Sequence, residues 1–282
     1  MRQFTLVAGV GILMVAAGSA SAAVLFDNGP FVTNPTGGTG SIAGQPISQA
    51  DGFTIPGSSF VFSTTGVGAT VLANTAVAED FTVPAGGWDL DEVTLYAFQT
   101  SQTTPSVTQI QINLWTDTPY SAGSPDAPPV LPQPVLAQNL TLNAGPGTFV
   151  AHRQSPSGTS SVRPVFAYTV SLNDLPNAGL LPEGRYWLQW SFLGASSPSQ
   201  NVFTPLVSPR TSAVDLNARL FNSIDGSSTG PRIWFEGREG FSPGVSDGRA
   251  YALPFVLGGS AVPAPGAAGV LAAAGIRFRR RR

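Results

Sequence analysis

The chain has 282 residues, with 32 Gly, 25 Pro, no Cys and a formal net charge of −2. The lack of Cys excludes a disulfide framework and every thiolate-based metal or redox site. Six of the fourteen arginines (Arg2, Arg277, Arg279, Arg280, Arg281 and Arg282) sit in the two ends, so the body sets eight against sixteen carboxylates, and an acidic body repels nucleic-acid phosphates.

Residues 1–22 read as a secretory signal peptide. Arg2 gives the positive start, residues 4–17 are an apolar run, and Ala20-Ser21-Ala22 has the small-x-small pattern of a cleavage site. The run is shorter than the roughly 20 residues a membrane span needs. The mature chain is expected to begin at Ala23 or Val24.

Residues 24–68 are rich in turn chemistry, as in Asn28-Gly29-Pro30 and Asn34-Pro35-Thr36-Gly37-Gly38. Short strands are expected near 24–26 and 59–62. A regular pattern then begins. Val93, Leu95 and Ala97 alternate with Thr94, Tyr96 and Phe98, and Ile110, Ile112 and Leu114 alternate with Gln109, Gln111 and Asn113. Phe166, Tyr168, Val170 and Leu172 repeat the pattern, as do Tyr186, Leu188, Trp190 and Phe192, and finally Tyr251, Leu253, Phe255 and Leu257. Period two with one apolar face marks a half-buried strand. Turn clusters such as Pro84-Ala85-Gly86-Gly87 separate these runs, and the body shows no sustained helical period. The pattern predicts an all-β fold, an antiparallel sandwich of jelly-roll type, over residues 23–260. The Pro-rich stretch 125–134 reads as a long surface loop within that domain.

Three tryptophans fall on the polar phase of their strands. Trp115 shares a face with Gln109, Gln111 and Asn113, and Trp187 with Arg185, Gln189 and Ser191, while Trp234 stands between Arg232 and Glu236. Beside amides, an exposed indole is a platform for the apolar C–H face of a sugar. The competing reading is that each Trp lies under a loop and caps a satellite cluster, since Trp is usually well buried.

Asp89, Asp91 and Glu92 offer oxygen ligands that suit Ca²⁺, but EF-hand spacing and its Gly are missing, so a solvated strand start is expected. Asp225-Gly226-Ser227 reads as a turn. His152 is the one histidine, and no Gly-x-Ser-x-Gly elbow accompanies it. A zinc site is nearly excluded by that inventory. A glycosidase needs only two carboxylates, and no sequence feature singles out a pair. The expectation is a non-enzymatic protein with no metal and no cofactor.

Residues 261–282 form the other end. Val262-Pro263-Ala264-Pro265 is a rigid proline step, residues 266–276 are apolar, and Arg277 with Arg279, Arg280, Arg281 and Arg282 makes a basic end. This order resembles the C-terminal sorting signal called PEP-CTERM. The resemblance implies export, transient membrane retention and processing by an exosortase-type enzyme near the proline motif. Ala264 stands where that family usually has Glu. The eleven apolar residues, at about 1.5 Å each, cover about half of a 30 Å hydrocarbon core as a helix. The arginines would stay on the cytoplasmic side.

The body resembles the extracellular β-sandwich domains that precede such tails. The carriers are residues 78–88 and 181–188, where Pro and Gly make a turn beside an aromatic strand. These readings imply an exported, non-enzymatic β-sandwich protein, sorted to the cell envelope or extracellular matrix of a Gram-negative-type bacterium, with a structural or adhesive role. The alternatives are a carbohydrate-binding module that uses Trp115, Trp187 or Trp234 on an extracellular polysaccharide, and, more weakly, a glycan-active hydrolase.

Overall fold

The computed structural model describes residues 22–37, 44–50, 53–54, 61–62, 64–120, 140–156, 163–173, 179–194, 201–207, 217–223, 232–237 and 250–262. The expected leader up to residue 21, the Pro-rich stretch, Asp225 and the tail from Pro263 onward, including its expected helix, lie outside these residues.

The described strands are, in order, β1 (Ala23–Asp27), β2 (Ile47–Gln49), β3 (Phe53–Thr54), β4 (Val61–Phe62), β5 (Gly66–Gly68), β6 (Ala76–Val83), β7 (Trp88–Phe98) and β8 (Val107–Trp115). They continue with β9 (Leu140–Asn143), β10 (Thr148–Gln154), β11 (Pro164–Ser171), β12 (Leu180–Leu181), β13 (Gly184–Gly194), β14 (Phe203–Pro205), β15 (Arg219–Ser223), β16 (Arg232–Glu236) and β17 (Phe255–Ala261). A single turn of 3-10 helix, Val71–Ala73, interrupts them. Among the described residues no helix is long and apolar enough to cross a membrane.

Two sheets make the expected all-β sandwich. The first runs β1-β17-β7-β11-β10-β2, with β12 and β14 against the two ends of β7 and β5 beyond β14. The second runs β16-β15-β6-β13-β8-β9. Strands β3 and β4 pair separately. Among the described strands pairing is antiparallel except for β2 with β10, which run parallel, and an isolated parallel bridge joins Thr70 to Phe192.

The core follows from the alternation. Tyr186, Leu188, Trp190 and Phe192 of β13, with Ile110, Ile112 and Leu114 of β8, point inward from the second sheet. They meet Leu90, Val93, Leu95 and Ala97 of β7, Phe166, Tyr168 and Val170 of β11, and Phe255 and Leu257 of β17. Aromatic rings stitch the layers together, with Phe81 stacked on Trp88 at 6.1 Å and on Tyr186 at 5.8 Å. Burial of this apolar surface is the main stabilising term in a chain without Cys. Glu79 also points into the core, where its carboxylate accepts the backbone N–H of Leu253 at 2.7 Å. That bond fixes the segment leading into β17.

The two ends of the body are neighbours. Strand β1 pairs with β17, Ala23 opposite Gly259 and Asp27 opposite Val256. Phe26 carries this pairing into the core against Phe255 at 5.3 Å. One residue past β17, Val262 donates its N–H to the carbonyl of Gly87 at 3.0 Å. Gly87 has φ +93°, and a Cβ there would stand 2.6 Å from the carbonyl oxygen of Leu181. Only glycine fits that turn without strain.

Candidate functional site: a groove on the outer face of the second sheet

Strand order sets the site. The outward face of β6 carries Ala76, a small side chain in the lining of the groove, and Ala78, which is covered in the cluster with Trp187 and Trp234. Phe221 of β15 pairs with Ala76 on one side, and Trp234 of β16 pairs with Phe221. On the other side β13 presents Gln189 and Ser191, which pair with Asn113 and Gln111 of β8. Trp115 closes the end of β8, opposite Trp187.

The result is a groove of about 360 Å³ lined by Trp115, Trp234 and Phe221, by Gln111, Asn113, Gln189 and Ser191, and by Ala76 with the turn before it. That volume lies at the small end of the range for small-molecule sites, about 300–1,000 Å³. The turn supplies Val71, Asn74 and Thr75. Asn74 has φ +50°, a left-handed conformation that Asn tolerates better than most residues, so the chain can reverse from the 3-10 turn into β6.

Several polar groups are fixed in place. The indole Nε1 of Trp115 donates to Oε1 of Gln189 at 2.9 Å. Ser191 Oγ donates to the carbonyl of Thr75 at 2.7 Å, and Thr75 Oγ1 accepts the N–H of Thr70 at 2.9 Å. Among the described residues, none that lines the groove carries a charge. Charged residues of the same sheet have partners of their own, and Arg232 Nη1 donates to Asn222 Oδ1 at 2.6 Å. Arg185 pairs with Asp80 at 2.5 Å and lies over the Trp187 ring at 5.6 Å. Arg219 stacks on Tyr120 at 4.9 Å and donates to its hydroxyl at 3.3 Å.

The three tryptophans do share one surface, but not equally. Trp115 is partly exposed, and Trp234 is 6 % exposed with part of its surface on the groove. Trp187 is 2 % exposed and does not line the groove. It packs in a satellite cluster with Ala76, Ala78 and Trp234. An indole this covered holds the wall in place and is not itself a stacking platform. Phe221, Ala76, Asn74 and Thr75 had not stood out in the sequence. Their signal was indirect: Phe221 holds the outward phase of its strand, and Ala76 and Ala78 are two small residues on that phase of β6.

The remaining candidates are scattered. A β-bulge breaks up the acidic group, since Glu92 pairs with Gly258 and Leu90 with Gly259, leaving Asp91 as the extra residue. Asp91 instead offers its carbonyl to the N–H of Leu172 at 2.7 Å. Among the described residues no three His, Asp or Glu side chains gather in a way that could hold a metal ion. His152 lies in the first sheet, on β10. Its Nε2 is 2.5 Å from Oε1 of Gln45, and burial pushes its pKa below the ordinary value. In a Ser-His-Asp triad the Nε2 side faces the nucleophile, and here Gln45 occupies it.

Of the processing residues, Ala22 precedes β1, Ala23 opens it, and Val262 is held by Gly87. Ala20, Pro263, Ala264, Pro265 and the terminal arginines lie outside the described residues. No protein-family model matches the chain, and no curated protein matches it either.

Proposed function

We propose that the chain is an exported, non-enzymatic β-sandwich protein, sorted to the cell envelope or extracellular matrix, that works by adhesion through the groove on its second sheet. The observation that carries this reading is the pairing of Ala23 with Gly259. The residue at which the mature chain is expected to start lies beside the strand that leads into the expected sorting tail. Removal of both ends leaves every described strand in place, because all of them lie between Ala23 and Ala261.

The same topology supports a presenting role. Strand β6 begins in the groove at Ala76 and ends at Val83, next to the turn that holds Val262. A chain tethered at its C-terminal end would therefore carry the turn at 71–75 on the far side of the sheet. An adhesive surface needs that placement.

Mass spectrometry of the native protein in the extracellular fraction tests the reading. The expected species begins at Ala23 or Val24 and lacks Arg277 and the four arginines that end the chain. Secreted material that retains the intact basic end would overturn the sorting, and protein confined to the cytoplasm would overturn the export.

A further inference from the structure

We propose that the groove is a binding site for a neutral saccharide, an assignment that rests on the adhesive reading above and names its ligand class. Three features select that class together. The first is the pairing of ring surfaces with amides. Trp115, Trp234 and Phe221 provide apolar faces, while Gln111, Asn113, Gln189 and Ser191 provide donors and acceptors between them. An amide offers both an N–H₂ and a carbonyl, and a sugar hydroxyl needs both kinds of partner.

The second feature is the lack of charge. With no charged residue among the described lining, a carboxylate, sulfate or ammonium on the ligand would be desolvated there with no counter-charge. Arg185, Arg219 and Arg232, cations of the same sheet, are engaged with Asp80, Tyr120 and Asn222. The acidic body disfavours polyanions further. The third feature excludes a purely apolar ligand. Covering the lining amides with hydrocarbon would forfeit the bonds that their remaining donors and acceptors make with water, at about 1–3 kcal/mol for each group. A neutral, hydroxyl-rich molecule with apolar ring faces meets all three conditions.

Isothermal titration of the exported protein tests the assignment. The probes are neutral hexasaccharides of glucose, galactose and xylose, with hexagalacturonate and a chitosan hexamer as charged counterparts. At least one neutral probe should bind, with an affinity unchanged between about 0.05 and 0.5 M salt. Trp115→Ala should weaken it about tenfold, which corresponds to about 1.4 kcal/mol. Gln111→Leu alters the lining without removing a ring and should weaken it similarly, so the test survives if the tryptophan variant misfolds. A charged probe that matches the neutral ones overturns the neutral assignment and leaves the adhesive reading standing. If no saccharide binds, the ligand class is wrong, while the mass and location of the secreted protein judge the export and sorting separately.

Discussion

The indole of Trp115 donates its Nε1–H to Oε1 of Gln189 across 2.9 Å, from β8 to the neighbouring strand β13. The bond ties an aromatic wall of the groove to its amide floor. It also orients the Gln189 side chain, because an oxygen that accepts from the indole turns the –NH₂ group elsewhere. Gln189→Leu should therefore lower saccharide affinity about tenfold, measured by titration calorimetry. The cost in folding stability should stay near 1 kcal/mol, the usual net worth of one hydrogen bond, because Trp115 is a partly exposed residue. Unchanged affinity would mean that Gln189 only buttresses the ring.

Filling the groove is a test that removes no interaction. Ala76 lies between Phe221 and Ser191 at the base of the depression. Ala76→Gln places a longer side chain there and should abolish binding, and because Ala76 is buried in the Trp187 and Trp234 cluster it should also cost about 1–3 kcal/mol of stability by overpacking. Binding that persists in this variant would place the ligand elsewhere.

His152 gives the fold a pH dependence whose sign is fixed by its burial. Its pKa in the native state lies below the ordinary 6.5 because burial disfavours the imidazolium. The unfolded chain therefore takes up a proton before the native state does. The stability linked to this group is complete above about pH 6.5 and is lost as pH falls through the window below it. His152→Gln should flatten that part of the curve when unfolding midpoints are compared over a pH series. Parallel curves for the two proteins would show that His152 is not the responsible group.

Core and satellite tryptophans should separate in stability measurements. Trp190 is fully buried between the sheets, 5.9 Å from the ring of Phe255. Trp190→Ala should cost about 3–5 kcal/mol in denaturant unfolding. Trp234 belongs to the small outer cluster on an edge strand, so Trp234→Ala should cost less while impairing ligand binding. Equal losses would mean that the outer cluster is as integral to the fold as the interior.

Much of the fold was legible because alternation survives in the long central strands. Val93, Leu95 and Ala97, or Tyr186, Leu188, Trp190 and Phe192, face the core as their phase requires. The same phase put Trp115, Trp187 and Trp234 on the outer surface. It could not give their exposure. Trp187 is covered because Trp234 packs in its cluster and Arg185 lies over its ring, and both relations depend on strands being brought side by side.

The groove itself was illegible for the same reason. Its walls come from β16, β15, β6, β13 and β8, and the last four are neighbours in space but not in sequence. Nothing local announces that Phe221 will stand next to Ala76. The parallel pairing of β2 with β10 was equally hidden, since the three residues 47–49 carry almost no periodic signal.

The indole N–H resonances of the five tryptophans test the central claim most directly. During titration of the protein with a neutral hexasaccharide, the account predicts shifts at Trp115 and Trp234, which line the groove, and none at Trp190, which is sealed in the core. Shifts confined to other tryptophans, or no shift in the presence of any neutral saccharide, would contradict it.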